Sequence, residues 1–413
     1  MKIPNLKFKI KKPPKKWLIF SAVSLVSLIL AAVCAIMFNA SGRSLKSQQA
    51  AETWAGGSGV KYAQISVFAP SGSLDTGKIA GFRQKIISSV KDTMPKSVKN
   101  VYTDAYCAFG KTSVTGDHGS SDASVIAVGG NYFLFHPLEL VSGTYFSESD
   151  VMHDRVVLDE TLAWKLFGGS NLAGMTVTIG DKPFVVAGVV KRESDKSDRT
   201  AYDGGAGLYM LYDAYNSLGA ASSGVTDTST DTGTAAGSSS GNATGTGASS
   251  GTGTGTSSGA GAGTESTAAA PIVCYEVVMP NPVKAFAAGL AQTELNADKS
   301  LEIVENSSRF TSGSIYKNVL KNYGKRTMHT NGIEFPYWEN AARLTENRCG
   351  VLLAARIFFL LCPAVFAVIL IIKLYIYIKR KLKAEYLVLK DRYEERTLFS
   401  HMKGSDDDGG TDA

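Results

Sequence analysis

VVLDETLAWKLFGG, residues 156–169, starts as a short apolar strand and passes through an acidic turn. It continues as a helix that stops at Gly168-Gly169. Two readings fit: the opening of a nucleotide-binding βα unit, or one structural module of a larger domain. A dinucleotide site places its glycines between strand and helix, as G-x-G-x-x-G, so that the backbone can approach the pyrophosphate. Here the glycines follow the helix, where a residue tolerant of left-handed backbone ends it. The structural reading is favoured, and Val156, Val157, Leu158, Leu162, Trp164, Leu166 and Phe167 are expected to be mostly core.

The neighbouring stretches extend this module over roughly 124–217. MTVTIGDKPFVVAGVVKR, 175–192, alternates apolar and polar residues on two arms around Gly180-Asp181, the pattern of a β-hairpin. SVIAVGGNYFLF (124–135) and ELVSGTYFSESDV (139–151) precede it, and AGLYMLYDAYNSLG (206–219) closes the module. On either side lie two similar halves. KYAQISVFA (61–69) reads as a strand, TGKIAGFRQKIISSVKD (76–92) as an amphipathic helix and KNVYTDAYCAFG (99–110) as a strand. PIVCYEVVM (271–279), PVKAFAAGLAQTEL (282–295) and SLEIVE (300–305) repeat strand, helix and strand, with Pro282 near the first turn of the helix. The expected fold is therefore α+β: a split ferredoxin-like lobe of two βαβ halves, with an inserted mainly-β lobe between them. Residues 219–270 are almost entirely Gly, Ser, Thr and Ala and read as a flexible loop expansion, which costs little closure entropy. Asn242-Ala-Thr and Asn306-Ser-Ser match the glycosylation sequon.

Two apolar runs flank this domain. Trp17–Phe38 has no charge in 22 residues, and Val351–Ile372 has one, Arg356, near its end. Each is long enough to cross a hydrocarbon core at ~1.5 Å per residue. Residues 1–16 carry seven Lys and no acid, and Lys373, Lys379, Arg380, Lys381 and Lys383 follow the second run. Basic flanks stay in the cytoplasm, so both termini are expected there. The domain plan is a basic N-terminus (1–16), a span (17–38), an extracytoplasmic domain with stalk (39–350), a second span (351–375) and a cytoplasmic tail (376–413). The formal charge of +6 comes from the flanks. Residues 39–350 hold 26 Lys and Arg against 29 Asp and Glu, a net of −3, so nothing argues for nucleic acid. PYWENAARLTENRC, 336–349, has helical character and is expected to run into the second span, with Tyr337 and Trp338 packing the stalk.

Chemistry-bearing patterns are sparse. No G-x-x-x-x-G-K-[ST] occurs in these residues, no pair of the five His has H-x-x-x-H spacing, and no nucleophile has a recognisable base beside it. GDHGSSD (116–122) reads as a solvated loop, not as a metal site, and SESD (147–150) as turn chemistry. No catalytic, cofactor or metal residue is assigned. Two positions remain of interest. An antiparallel ferredoxin-like sheet sets 99–110 beside 271–279, which makes Cys107 and Cys274 a candidate disulfide pair. On the predicted helix 379–396, Leu382, Tyr386, Leu389 and Tyr393 share one face and are a candidate cytoplasmic partner contact.

ELVSGTYFSESDV, RVVLDETLAWKLFGGSNLAGMTVTIG and KPFVVAGVVKR, within 139–192, together resemble the extracytoplasmic core domain of MacB/FtsX-type ABC transporter permeases. ENSSRF (305–310) resembles the end of the same domain. The resemblance implies one span before the domain and three after it; in these residues one follows. It implies a membrane subunit without catalytic chemistry of its own, with the two further spans and the ATPase supplied by separate ABC ATPase and FtsX-like permease subunits. Its outer domain would bind substrate or partner proteins, and self-association is open. A stand-alone membrane-anchored receptor, sensor or scaffold that reuses the domain is the alternative.

Overall fold

The computed structural model describes residues 14–56, 59–91, 101–191, 207–219, 269–297, 299–322 and 332–405. In chain order the first elements are α1 (Lys15–Ser44), α2 (Ala50–Ala55), β1 (Tyr62–Phe68), α3 (Thr76–Val90), β2 (Thr103–Gly116), β3 (Gly119–Gly130), α4 (Tyr132–Phe135) and β4 (Glu139–Gly143). Then come β5 (Arg155–Asp159), α5 (Glu160–Phe167), β6 (Thr176–Ile179), β7 (Lys182–Lys191), β8 (Gly207–Leu211) and α6 (Tyr212–Asn216). The last are β9 (Ile272–Pro280), α7 (Phe286–Glu294), β10 (Glu302–Glu305), α8 (Ser312–Ile315) and α9 (Tyr337–Ser405). These form two compact units. A helical unit takes the described residues within 1–44, 310–326 and 343–413; a sheet unit takes those within 45–309 and 327–342.

In the helical unit, α1 and the apolar part of α9 are long and apolar enough to cross a membrane, with mean hydropathies of 2.6 and 2.8. Trp17 meets Phe366 at 5.5 Å between ring centroids, and Cys349 lies beside the Phe38 carbonyl. These two contacts, one near each end of the first apolar run, fix the helices as antiparallel. Phe38, Cys349 and Leu353 share a small core with Ile315 and Val319. Gly350 sits where a Cβ would come within 2.7 Å of Val319 Cγ1, so the absence of a side chain allows the close approach.

The sheet unit is built on one ten-stranded sheet, ordered β10-β1-β9-β2-β3-β8-β5-β7-β4, with β6 paired to both β2 and β7. The two βαβ halves interleave at one side: β1 lies between β10 and β9, and β9 between β1 and β2, all antiparallel. The inserted module is continuous with them, because β2 and β3 form one long hairpin with twelve paired positions from Ala105↔Gly130 to Gly116↔Gly119. The path β2-β3-β8-β5-β7-β6 then returns to β2 through Val114↔Ile179. Six strands therefore close into a ring with no free edge among them.

Local chemistry explains the elements. Asp75 caps α3 by accepting from Lys78 N at 2.8 Å, and Ile79, Phe82, Ile86 and Val90 make its buried stripe. Gly168 ends α5 in left-handed backbone at φ 70°, its N–H bonded to Trp164 O. Gly180 and Asp181 both take positive φ, as a two-residue hairpin between twisted strands requires.

Several expectations are corrected. GDHGSSD is not a loop: Asp117 and His118 make the tight turn between β2 and β3, and 119–122 belong to β3. Tyr132–Phe135 is a helical turn that follows the end of β3 at Gly130. The second helix begins at Phe286, not at Pro282, because Ala285 is left-handed and Asn281 Oδ1 receives the Ala287 N–H. Trp164 is 57% exposed: the buried stripe of α5 is Leu162, Ala163 and Leu166, and Trp164 lies on the opposite side. Asn306 is buried, with its amide nitrogen donating to Ser66 Oγ, so its sequon is no glycan acceptor. Asn242 and 220–268 of the low-complexity stretch lie outside the described residues. The flanks of that stretch meet, since Ala270 N bonds Asn216 Oδ1 and Tyr212 Oη donates to Ala270 O.

The fully buried Asp159 ties the ring together. One carboxylate oxygen accepts from Leu162 N at 2.6 Å, capping α5, and the other from Gly207 N at 2.7 Å, at the start of β8. Asp159→Ala leaves two buried donors unmet and is expected to lower stability by roughly 2–4 kcal/mol, against about 1 kcal/mol for Asp75→Ala at an exposed cap. Denaturant titration of the detergent-solubilised chain measures both; equal losses would show that Asp159 serves only as a cap.

Candidate functional site

Three chain segments converge on one face of β1 and β9 within the sheet unit: 45–50, 306–309 and 337–339. Gln64 on β1 holds the first, its Nε2 donating to Ser47 O at 2.7 Å and its Oε1 accepting from Ala50 N at 3.0 Å. Gln64 N donates to Ser307 Oγ, which ties in the second. Asn306 Nδ2 donates to Ser66 Oγ, and Ser66 Oγ donates to Glu276 Oε1, both at 2.7 Å. Glu276 Oε2 lies 2.5 Å from His136 Nε2, and both residues are almost fully buried.

The third segment is the first turn of α9. Trp338 is 1% exposed, its ring 4.3 Å from His136 and 5.9 Å from Phe109. Tyr132 lies tilted against the same imidazole, with 4.5 Å between ring centroids. Trp338 thus enters the main core of the sheet unit instead of packing along a stalk. One residue on, Glu339 receives a bidentate pair from Arg309 at 2.6 and 2.8 Å, and Arg309 also reaches Gln48 Oε1. Side-chain exposures of 3% and 1% make this a desolvated ion pair. Among the described residues His136 Nδ1, Asn306 Oδ1 and Trp338 Nε1 have no hydrogen-bond partner. Each such buried polar atom costs ~1–3 kcal/mol where no water reaches it.

Sequence reasoning missed this junction. Its residues are spread from 47 to 339, with no motif spacing; the legible trace was a Trp and an acid beside Pro336 at the head of a long helix.

Cys107 and Cys274 sit opposite each other in the antiparallel β2–β9 ladder, buried, with free thiols. Burial pushes the Cys274 thiol well above its ordinary pKa, helped by its hydrogen bond with Cys107. Leu382, Tyr386, Leu389 and Tyr393 lie on α9 with 60–70% of each side chain exposed. The apolar surface there is broader than one face, since Leu387 and Val388 are exposed outside that stripe. Among the described residues no three His, Cys, Asp or Glu converge on a point that would hold a metal.

A profile of the MacB-like periplasmic core domain matches residues 21–233. The chain belongs to that family. Membership makes it a membrane protein with an extracytoplasmic domain, in keeping with its two apolar helices. The macrolide export ATP-binding/permease protein MacB of Neisseria gonorrhoeae is 35% identical over 98 residues, 23% of this chain and 14% of that protein. The MacB of Agrobacterium fabrum is 32% identical over 128 residues, 30% of this chain and 19% of that one. The matches thus span less than a fifth of these relatives' length. Among solved structures, the periplasmic region of MacB from Actinobacillus actinomycetemcomitans aligns with a TM-score of 0.36 and 17% identity. That alignment covers 63% of this chain and 92% of that one. The extracellular domain of YknZ, a noncanonic ABC-type transporter from Gram-positive bacteria, aligns at 0.34 and 14%, over 58% and 99%.

Breaking one side of the Arg309–Glu339 pair strands a buried charge. Arg309→Met or Glu339→Leu alone is expected to cost ~3–5 kcal/mol, and the double replacement much less than the sum. A double-mutant cycle by denaturant titration tests this; additive losses would mean that the two side chains act independently.

Proposed function

We propose that the chain is a non-catalytic integral membrane subunit of a MacB/FtsX-like ABC export or mechanotransmission system. In this reading its outer domain binds substrate or partner proteins and responds through its chain links to the membrane. The observation that carries the reading is the buried junction. The residues just after the first span and the segment ending at Arg309 bond to β1 through Gln64 and Ser66, and the first turn of α9 joins them through the Arg309–Glu339 pair and the buried Trp338. A domain that served only as a binding surface needs no desolvated ion pair at its chain exits. Strand order β10-β1-β9-β2 supports reading the interleaved halves as a split ferredoxin-like lobe.

Both termini are cytoplasmic in this proposal. The antiparallel α1 and α9 support it by bringing the basic flanks to the same end. The exposed Leu382, Tyr386, Leu389 and Tyr393 contact a separate ABC ATPase, and an FtsX-like permease subunit completes the membrane part. The relatives' names include ATP binding, whereas no P-loop occurs in these residues. Affinity purification from native membranes in mild detergent tests the reading. A P-loop ATPase and a permease are expected to co-purify, and to be lost with Leu382→Ser, Tyr386→Ser and Leu389→Ser combined. Recovery of the chain alone, or with surface proteins only, would make it a receptor or scaffold built on the same domain.

Cys107 and Cys274 form a disulfide in the mature protein in this proposal. Directly opposed residues of an antiparallel pair lie ~4.5–5.5 Å apart at Cα, inside the range a disulfide spans. Non-reducing peptide mapping of protein from its own membranes is expected to recover a single linked peptide pair; two free thiols would exclude the bond.

A further inference from the structure

Within the helical unit, α1 and α9 leave an apolar cleft of about 400 Å³. Trp17 and Phe20 line one side, and Leu361, Val365, Phe366 and Ile369 the other. Its position along the helices is defined. The cleft begins at the Trp17–Phe366 contact, where Lys373 Nζ sits 3.7 Å above the Trp17 ring. The lining on α9 runs from Ile369 back to Leu361, eight residues or ~12 Å of helix, and Lys373 lies about one turn beyond it. One leaflet of hydrocarbon is ~15 Å deep. The cleft therefore covers most of one leaflet's depth and opens towards the level where the helices leave the apolar core. Lys15 and Lys16, in the first turn of α1, belong to that same end. No Asp or Glu lies within residues 1–20 or 351–384, so nothing on the two helices there neutralises these cations.

We infer that this cleft is a binding site for one anionic phospholipid, with an acyl chain against Phe20, Leu361, Val365 and Ile369 and the phosphate at Lys373, Lys15 and Lys16. Hydrocarbon alone would fill the groove without selectivity. The three cations make the site distinguish a net negative headgroup from a zwitterionic one, each near-surface Lys or Arg adding about fivefold to the preference. Lys373 is the central group because its ammonium is already held over Trp17, so little side-chain freedom is lost on binding. The site depends neither on which side of the membrane the basic ends face nor on the partners proposed above.

The test uses the full chain in nanodiscs of equal phosphatidylglycerol and phosphatidylcholine with matched acyl chains, released and weighed by native mass spectrometry. One phosphatidylglycerol is expected to stay bound, at tenfold or more over phosphatidylcholine. Lys373→Gln should reduce that ratio about fivefold, and Lys373→Arg should preserve it. Val365→Trp, which fills the cleft, should abolish retention of either lipid, and Lys381→Gln, about two turns beyond Lys373, should change nothing. If Val365→Trp does not fold, the contrast between Lys373→Gln and Lys373→Arg still decides. Equal retention of the two lipids, or a ratio unmoved by Lys373→Gln, would overturn the inference.

Discussion

The pairing of β2 with β3 is the constraint on which the rest of the sheet unit depends. At one end β2 lies against β9 and completes the interleaved βαβ halves; at the other it pairs with β6 and closes the six-strand ring. A strand with only one of these partners would leave either the halves or the inserted module with an open edge. Sharing it makes the two modules one hydrogen-bonded body that includes β9, which carries Cys274 and Glu276. The tight turn at Asp117-His118 sets this register, because a slip of one residue would turn every side chain of the hairpin to the wrong face.

The junction at β1 and β9 follows from the same frame. Glu276, Ser66 and Gln64 are buried polar residues on strands otherwise filled with Val, Ile and Tyr. A purely apolar sheet face would be more stable, since a buried ion pair rarely outperforms well-packed hydrocarbon. These residues are placed where the chain enters and leaves the domain, which locates the cost at a few specific hydrogen bonds. The apolar packing of the core and the polar contacts at its exits are thus carried by different atoms. In the proposed transmitting role, this arrangement keeps a rigid core apart from the contacts that join it to its links.

Much was legible in the residues. The apolar runs at 17–38 and 351–372, the amphipathic α3, the glycine stop of α5 and the hairpin at Gly180-Asp181 follow from local rules: hydrophobic length, a 3.6-residue period, and backbone regions open mainly to Gly, Asn and Asp. The opposition of Cys107 and Cys274 was also within reach, because strand order and position in each strand suffice to align them. Errors arose where composition was read without direction. Trp164 is apolar but stands off the buried stripe, and Asn306-Ser-Ser has the sequon pattern but a buried side chain.

The sequence by itself determined the elements, the membrane-spanning runs and the distribution of charge, because each of these depends on residues near one another in the chain. Only the tertiary structure decided that the two modules share one sheet, that six strands close into a ring and that Arg309 meets Glu339. It alone also brought Lys373 over Trp17 beside an apolar cleft. These are pairings between residues tens to hundreds of positions apart, selected by which buried charges and polar groups find partners when the whole chain packs. No local periodicity carries that information.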